Sequence, residues 1–323
     1  MKAASAILRS TRIVSPLRSL IPPTVLARRH FSMESSLQSP PFTQLVVKAM
    51  RTLYPEELAD RAWDNAGLLQ DNIKPPSGTV PPRVLLTNDL TPSVAEEAIQ
   101  KNASVIVSYH PFIFRGLKSI TLDDPQQRIV LRLAQHNIAV YSPHTASDAA
   151  PLGVNDWLVD QLRQYPLAKM EVIQPLANKP EHFSHAGYGR IVTLGDEVDL
   201  DAIVHAYGQA TGMRHVLVVK PKGFHGRIRT VAVCAGSGYD VVKDVETDVV
   251  VTGEMSHHNA LRLKMLGRCV ICLCHSNSER GWLRDVLEAK LLDELRKEEP
   301  AAEVLVSEED EDPFQFYEVP HPK

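Results

Sequence analysis

No apolar run in this 323-residue chain approaches the roughly 18–20 residues needed to cross a bilayer, so a helical membrane span is not expected. Phosphate-cradling glycine loops are missing as well. Gly236-Ser237-Gly238 follows a strand-like run, but the third glycine position of a dinucleotide fingerprint is Val241, and a simple tight turn is the better reading. No Walker-type loop occurs. Cysteine is sparse: Cys234, Cys269, Cys272 and Cys274 all sit in strand-like apolar runs, and Cys269-x-x-Cys272 lacks the second pair that a zinc ribbon needs. Buried, reduced thiols in a sheet fit these positions, and with them a reducing compartment. Net positive charge is missing beyond residue 33. The first 33 residues hold six basic residues and no acid, so the net −4 of the whole chain leaves −10 on the rest. A body that acidic makes nucleic acid an unlikely ligand. It leaves room for a protein partner.

At 44% hydrophobic and 23% charged, the composition is that of a globular protein long enough for two domains. The leader is rich in Arg and Ser, free of acids until Glu34 and mildly amphipathic, as mitochondrial presequences are. Arg28-Arg29-His30-Phe31-Ser32 resembles a matrix-processing site cut after Phe31. Residues 1–31 are therefore read as a presequence and the location as mitochondrial, with a cytosolic form if translation starts at Met33.

Beyond the leader, apolar runs alternate with helical periods. Arg83–Thr87, Ser104–Ser108 and Ile138–Tyr141 read as strands, separated by helices over Pro92–Lys101 (capped by Thr91) and Asp123–His136, with Val154–Gln164 as a further helix. Such βαβ alternation places helices on a mostly parallel sheet. Trp63 is expected as a core anchor and Asp64-Asn65 as a tight turn, with a functional role for Asp64 or Asn65 near the site as the weaker alternative. Residues 165–184 read as linker. Tyr188–Thr193 and His215–Val219 are strands flanking a helix capped by Asp199. A second series follows: strand Ile228–Ala235, strand Asp248–Thr252, a helix from His257 capped by Ser256, and Cys269–Cys274 as a central strand. A long helix over Gly281–Lys297 and a short strand at Glu303–Ser307 complete the chain. The acidic run 308–312 should be solvated and mobile, while Phe314, Phe316 and Tyr317 pack back on the body. The expected division is a first α/β subdomain at 40–164, a linker and small α+β segment at 165–227, and a second α/β subdomain at 228–318. The fold class is α/β, with two βαβ-type subdomains whose mixed sheets enclose a metal-site cleft.

The chemistry gathers at strand ends. Cys269–Cys274 closes on His275, with Glu279 four residues on. Val105–Tyr109 closes on His110. Ile138–Pro143 closes on His144, with Asp148 four residues on. In open α/β sheets ligands bind beyond the carboxyl ends of strands. Three strand ends that deliver imidazoles and carboxylates suggest one shared metal site. A single histidine is more often structural, and spacing alone balances the two readings. The mixed donor set suits Zn²⁺, Mn²⁺ or Fe²⁺ rather than Ca²⁺.

Ser108-Tyr109-His110-Pro111, His144-Thr145-x-x-Asp148, Thr252-Gly253-Glu254-x-Ser256-His257-His258 and His275-x-x-x-Glu279-Arg280-Gly281 occur in that order. Together they resemble the dinuclear-metal family of bacterial YbgI and the eukaryotic NGG-interacting factor proteins, often labelled type-two GTP cyclohydrolase. The likeness runs from Trp63 to Phe314. It implies a mixed α/β fold, ring-like homo-oligomers (commonly hexamers) and metals in an interior cleft. By position it assigns His110, Asp148, His275 and Glu279 as ligands, with His144 beside them. Bacterial members have two adjacent histidines where this chain has Tyr109-His110, so one or two ions per chain are expected. Glu254 and His257 match too and are candidates for lining the site or moving protons. Helix-start polarity is the plainer account of both. Arg280 would meet an anionic substrate or pair with Glu279. The leading expectation is a metal-dependent, hydrolase-like protein; the second is a non-catalytic protein that handles metal or acts through a partner, such as a transcriptional adaptor.

Overall fold

The computed structural model describes residues 38–75 and 80–319, and those from Gln38 onward form one compact unit. The expected presequence and the second start at Met33 lie outside the described residues. Among the described residues eleven strands are formed: β1 (Gly67–Gln70), β2 (Arg83–Thr87), β3 (Val105–Ser108), β4 (Ala139–Ser142), β5 (Leu167–Pro175), β6 (Gly187–Asp199), β7 (Leu217–Val219), β8 (Arg227–Cys234), β9 (Val249–Thr252), β10 (Cys269–Cys272) and β11 (Glu303–Val306). They make two mixed sheets. The first has the order β1-β4-β3-β2-β11 and is parallel apart from β1. The second has the order β5-β6-β8-β9-β10-β7, with β8, β9 and β10 parallel and the others antiparallel.

The period-two alternation of each strand explains the layering. Val84, Leu86, Val105, Val107, Ala139 and Tyr141 of the first sheet share one core with Val231, Val233, Val249, Val251 and Ile271 of the second. Their strand neighbours Leu85, Ile106 and Val140 face the other way, onto helices Pro92–Gln100 and Pro125–Gln135. Ala232, Val250 and Val270 likewise face away from the shared core, toward Val242 and Leu263 of the helices Tyr239–Val242 and His257–Met265. Because both faces of the parallel strands are buried, these segments are nearly all apolar.

Several expectations are corrected. Residues 165–184 are not a plain linker: β5 occupies nine of them as an edge strand on β6. It is exposed along most of its length, so no apolar alternation marks it. β10 is not central but lies next to the edge strand β7. β11, expected with the second half, pairs with β2 in the first sheet. Asp199 precedes the helix Leu200–Thr211 without capping it through its side chain, and pairs with Arg227 instead. Thr91 and Ser256 do cap their helices. The last long helix is interrupted by a π turn over Leu283–Leu287. Leu283, Leu287, Leu291 and Leu295 are all buried at strict four-residue spacing, which drifts around a 3.6-residue helix; one wider turn restores the register. Trp63 is not a core anchor, being 53% exposed.

The tail reverses the expected pattern. Its aromatics Phe314, Phe316 and Tyr317 are exposed, while Asp310 is enclosed and accepts from the Asn88 backbone and Arg280. Asp312 accepts from the Ser276 hydroxyl. A carboxylate that finds a guanidinium and a backbone donor is held more firmly than an aromatic such as Phe316, which meets the His215 ring at 5.7 Å yet stays half in water.

Candidate metal centre

Six parallel strands from the two sheets deliver their carboxyl ends to one place. β2 leads into Asn88-Asp89, β3 into Tyr109-His110, β4 into Pro143-His144, β8 into Ala235-Gly236, β9 into Gly253-Glu254 and β10 into Leu273–His275. Two of these exits are conformationally costly: His144 has φ +34° and Cys274 has φ +62°, a region L-residues with side chains avoid. Both deviations sit at or beside a histidine that enters the site.

His110, His275 and Glu279 each offer a ligand atom, and those atoms lie within 4.8 Å of one another. Glu279 is 2% exposed; its Oε1 is 3.5 Å from His275 Nε2 and its Oε2 3.4 Å from His110 Nε2. Asn88 Nδ2 also donates to Oε2 at 3.1 Å. Gly236 closes the floor. A Cβ there would come within 2.7 Å of Glu279 Oε1 and 3.2 Å of His275 Nε2, and the residue has φ +60°, so only glycine suits the position.

Behind the donors stands a second rank of carboxylates. Asp89 Oδ1 meets His110 Nδ1 at 2.9 Å, Glu254 Oε1 meets His275 Nδ1 at 3.0 Å, and Asp64 Oδ1 meets His144 Nδ1 at 2.6 Å. A neutral imidazole that donates from Nδ1 keeps its lone pair on Nε2. Ser237 in turn donates to Glu254. Burial alone would lower the His110 imidazole, but the Glu279 charge and the Asp89 hydrogen bond outweigh it and hold the ring up at about 11. Burial would raise Asp89 and Asp64, yet their histidine partners bring both below the usual carboxylate range.

Asp148 lies on the helical turn Thr145–Ala149 that starts at His144. Its Oδ1 accepts from the Tyr109 hydroxyl at 2.6 Å. Burial pushes its carboxyl up to about 6, against the pull of His144 and Tyr109. His110, His144, Asp148, His275 and Glu279 thus line one cavity of about 670 Å³, together with Trp63, Phe114 and Gly236. The close donor cluster contains three of the five, with His144 one ring further along: the His110 centroid is 5.1 Å from that of His275 and 5.5 Å from that of His144.

Glu254 reaches the site from behind His275. His257 is exposed at the start of its helix, beside His258, and does not line the cavity. Arg280 pairs with Asp310 rather than Glu279. Two contributors escaped the sequence reading, and a third, Asp64, was weighed there only as the weaker alternative. Asn88 and Asp89 follow β2 as His110 follows β3, so strand-end position was the available signal. Asp64 looked like a turn residue, and nothing local announces its histidine partner 80 positions away.

Two mixed sheets that converge their parallel strand ends on a histidine and glutamate cluster define an α/β protein with a candidate metal-ligand group. A family model described as Duf34/NIF3 (NGG1p interacting factor 3) matches residues 43–313, and the chain belongs to that family. The resemblance seen in the motifs is therefore borne out. The chain is 45% identical over 268 residues to the protein NIF3 homolog of Schizosaccharomyces pombe, covering 83% of this chain and 95% of the relative. It is 40% identical over 281 residues to the NGG1-interacting factor 3 of Saccharomyces cerevisiae, with the same coverages. A Bacillus cereus protein related to NIF3 shares the fold, with a TM-score of 0.73 at 22% identity over 88% of this chain and all of that one.

Proposed function

We propose that this chain is a divalent-metal-binding protein whose site is built for metal-dependent hydrolysis. The observation that carries the reading is the ranking of the donors: each of three imidazoles has a carboxylate on Nδ1, which leaves Nε2 as the coordinating atom. His110, His275 and Glu279 would hold one ion, and His144 with Asp148 supplies donors for a second. Zn²⁺, Mn²⁺ and Fe²⁺ suit this nitrogen and oxygen set. A divalent ion so placed supplies Lewis-acid polarisation and acidifies water toward neutral pKa. The chain's own groups do the rest. Asp89, Asp64 and Glu254 fix the rings and Tyr109 holds one oxygen of Asp148; with a single ion bound, the Asp148 carboxyl, at about 6, is free to take up or release a proton near neutral pH.

Elemental analysis of the purified full chain is the direct test. Wild type should retain at least one divalent ion per chain, and His275→Ala should lose it while keeping its thermal melt within a few degrees. A wild-type chain that holds no cation after incubation with Zn²⁺, Mn²⁺ and Fe²⁺ would sink the proposal.

The name of the Saccharomyces cerevisiae relative supports a second reading, a protein that works through a partner. On that reading removal of the cation changes association and no substrate turns over. Assembly as a homo-oligomer, with a hexamer as the form the family resemblance implies, and a mitochondrial address with cleavage after Phe31 belong to the same proposal. They rest on the family resemblance and on the basic, acid-free leader.

A further inference from the structure

The mouth of the cavity is aromatic, and its aromatics are held open. Trp63 is 53% exposed and Phe114 44%, with ring centroids 6.0 Å apart. Both stand edge-on to His144, at 5.6 and 6.4 Å. Neither Trp63 nor His144 is free to turn away: Trp63 Nε1 donates to Asp60 Oδ2 at 2.9 Å and the imidazole is locked by Asp64. Large rings left half in water and fixed beside a cavity mark a surface that expects apolar contact. The rest of the lining narrows what that contact is. Asp60, Asp148, Asp240 and Glu279 contribute carboxylates, and among the described residues no lysine or arginine lines the cavity. One or two divalent ions would offset those charges without leaving surplus for a chain of phosphates.

We propose that Trp63 and Phe114 form a stacking subsite for an uncharged or positively charged planar heteroaromatic ring, held with its reacting edge toward the histidines. This deepens the cation-site reading and rests on it. A ring lying against the wall that the two aromatics form gains stacking on a preorganised surface, which costs little ordering on binding. A polyphosphate ester gains no cation from the side chains and meets four carboxylates. The subsite therefore selects by ring and against negative charge.

Titration calorimetry on the full chain tests this, with and without the cation it retains, using adenosine, pterin and 1-methylnicotinamide as ring probes and inorganic triphosphate as the anionic arm. At least one ring probe should bind more tightly than triphosphate, and Trp63→Ala should weaken it about ten- to a hundredfold, as loss of a stacking partner does. Trp63→Phe should recover most of that loss. Because Trp157 and Trp282 are buried, quenching of tryptophan emission by the bound ring should come chiefly from Trp63. Trp63 is exposed, so its variants should fold as wild type does, and their thermal melts check it. Equal binding to wild type and Trp63→Ala overturns the proposal, as does tighter binding of triphosphate or no ring binding at all. Loss of ring binding in a chain that still holds its cation refutes the subsite and spares the metal reading. Ring binding that depends on Trp63 in a chain holding no cation refutes the metal reading and spares the subsite.

Discussion

The two ends of the cavity are built by the same device and differ in what the device serves. At the inner end His110 comes from the first sheet and His275 with Glu279 from the second, so the donor cluster exists only where the sheets meet. At the outer end His144 and Asp64 both precede β5 in the chain and belong with the first-sheet half, beside exposed aromatics. Each histidine has a carboxylate on Nδ1, but only the inner pair also has a shared carboxylate facing Nε2. A ring with anions on both nitrogens is primed for a cation. A ring with an anion on one nitrogen and aromatics around it is a rigid wall first, and a donor only for the second of the proposed ions. The lesson is that a strand-end histidine acquires its role from what stands in front of it as much as from what holds it.

The sharpest way to break this contrast is Glu279→Gln. The amide keeps the shape and can still accept from Asn88, yet it removes the buried charge between the two imidazoles. Cation affinity should fall by more than the ~10–100-fold typical of losing an outer partner, with little change in far-UV circular dichroism. Unchanged affinity by calorimetry would mean the inner end is not the ligand set. A smaller effect comes from pH. His110 is raised to about 11, so below that value a cation must displace its proton, and affinity rises with pH. The expected slope is about tenfold per pH unit above about pH 6. Binding of a second ion should steepen below about pH 6, where the Asp148 carboxyl, itself at about 6, must also lose its proton. Calorimetry in buffers of differing ionisation enthalpy counts the protons released; a pH-independent affinity would exclude His110 as ligand.

The parallel core and its histidines were legible because both obey local rules. Runs such as Val105–Tyr109 are apolar on both faces and stop abruptly at a polar residue, which marks strand and site together. β5 was not legible, since an edge strand exposed on both sides needs no pattern. Its existence depends on pairing with β6, which is tertiary information. The same distinction separates His275 from its supporters. Glu279 stands at i+4 and could be read off, whereas Glu254 and Asp89 reach their histidines across 21 positions each and are visible only once the strands are aligned. Trp63 was misplaced by a rule that is usually sound, that large aromatics bury. Here its indole N–H is tethered to Asp60, and the cavity mouth replaces the core as its neighbour.

The smallest effect expected on cation binding is at the outer end. Asp64→Asn removes the charge behind His144 while preserving size. Asp64 also accepts from the Thr145 backbone N–H and hydroxyl, so it ties the turn that carries Asp148 to the loop that carries Trp63. Hydrogen bonds to a charged acceptor contribute about 1.5–3 kcal/mol, and denaturant titration at pH 7 should show a loss of that order. The sign with pH follows from the shift. A carboxylate held below its unfolded value of about 3.9 stabilises the fold above that pH, and the contribution fades as pH falls through the folded value. The gap between wild type and variant should therefore narrow below about pH 4. Cation affinity at the inner end should stay within a few-fold of wild type, because His110, His275 and Glu279 keep their own supports. If Asp64→Asn instead empties the inner end, the two ends are one cooperative unit, and the wall and the ligand cluster cannot be assigned separate tasks.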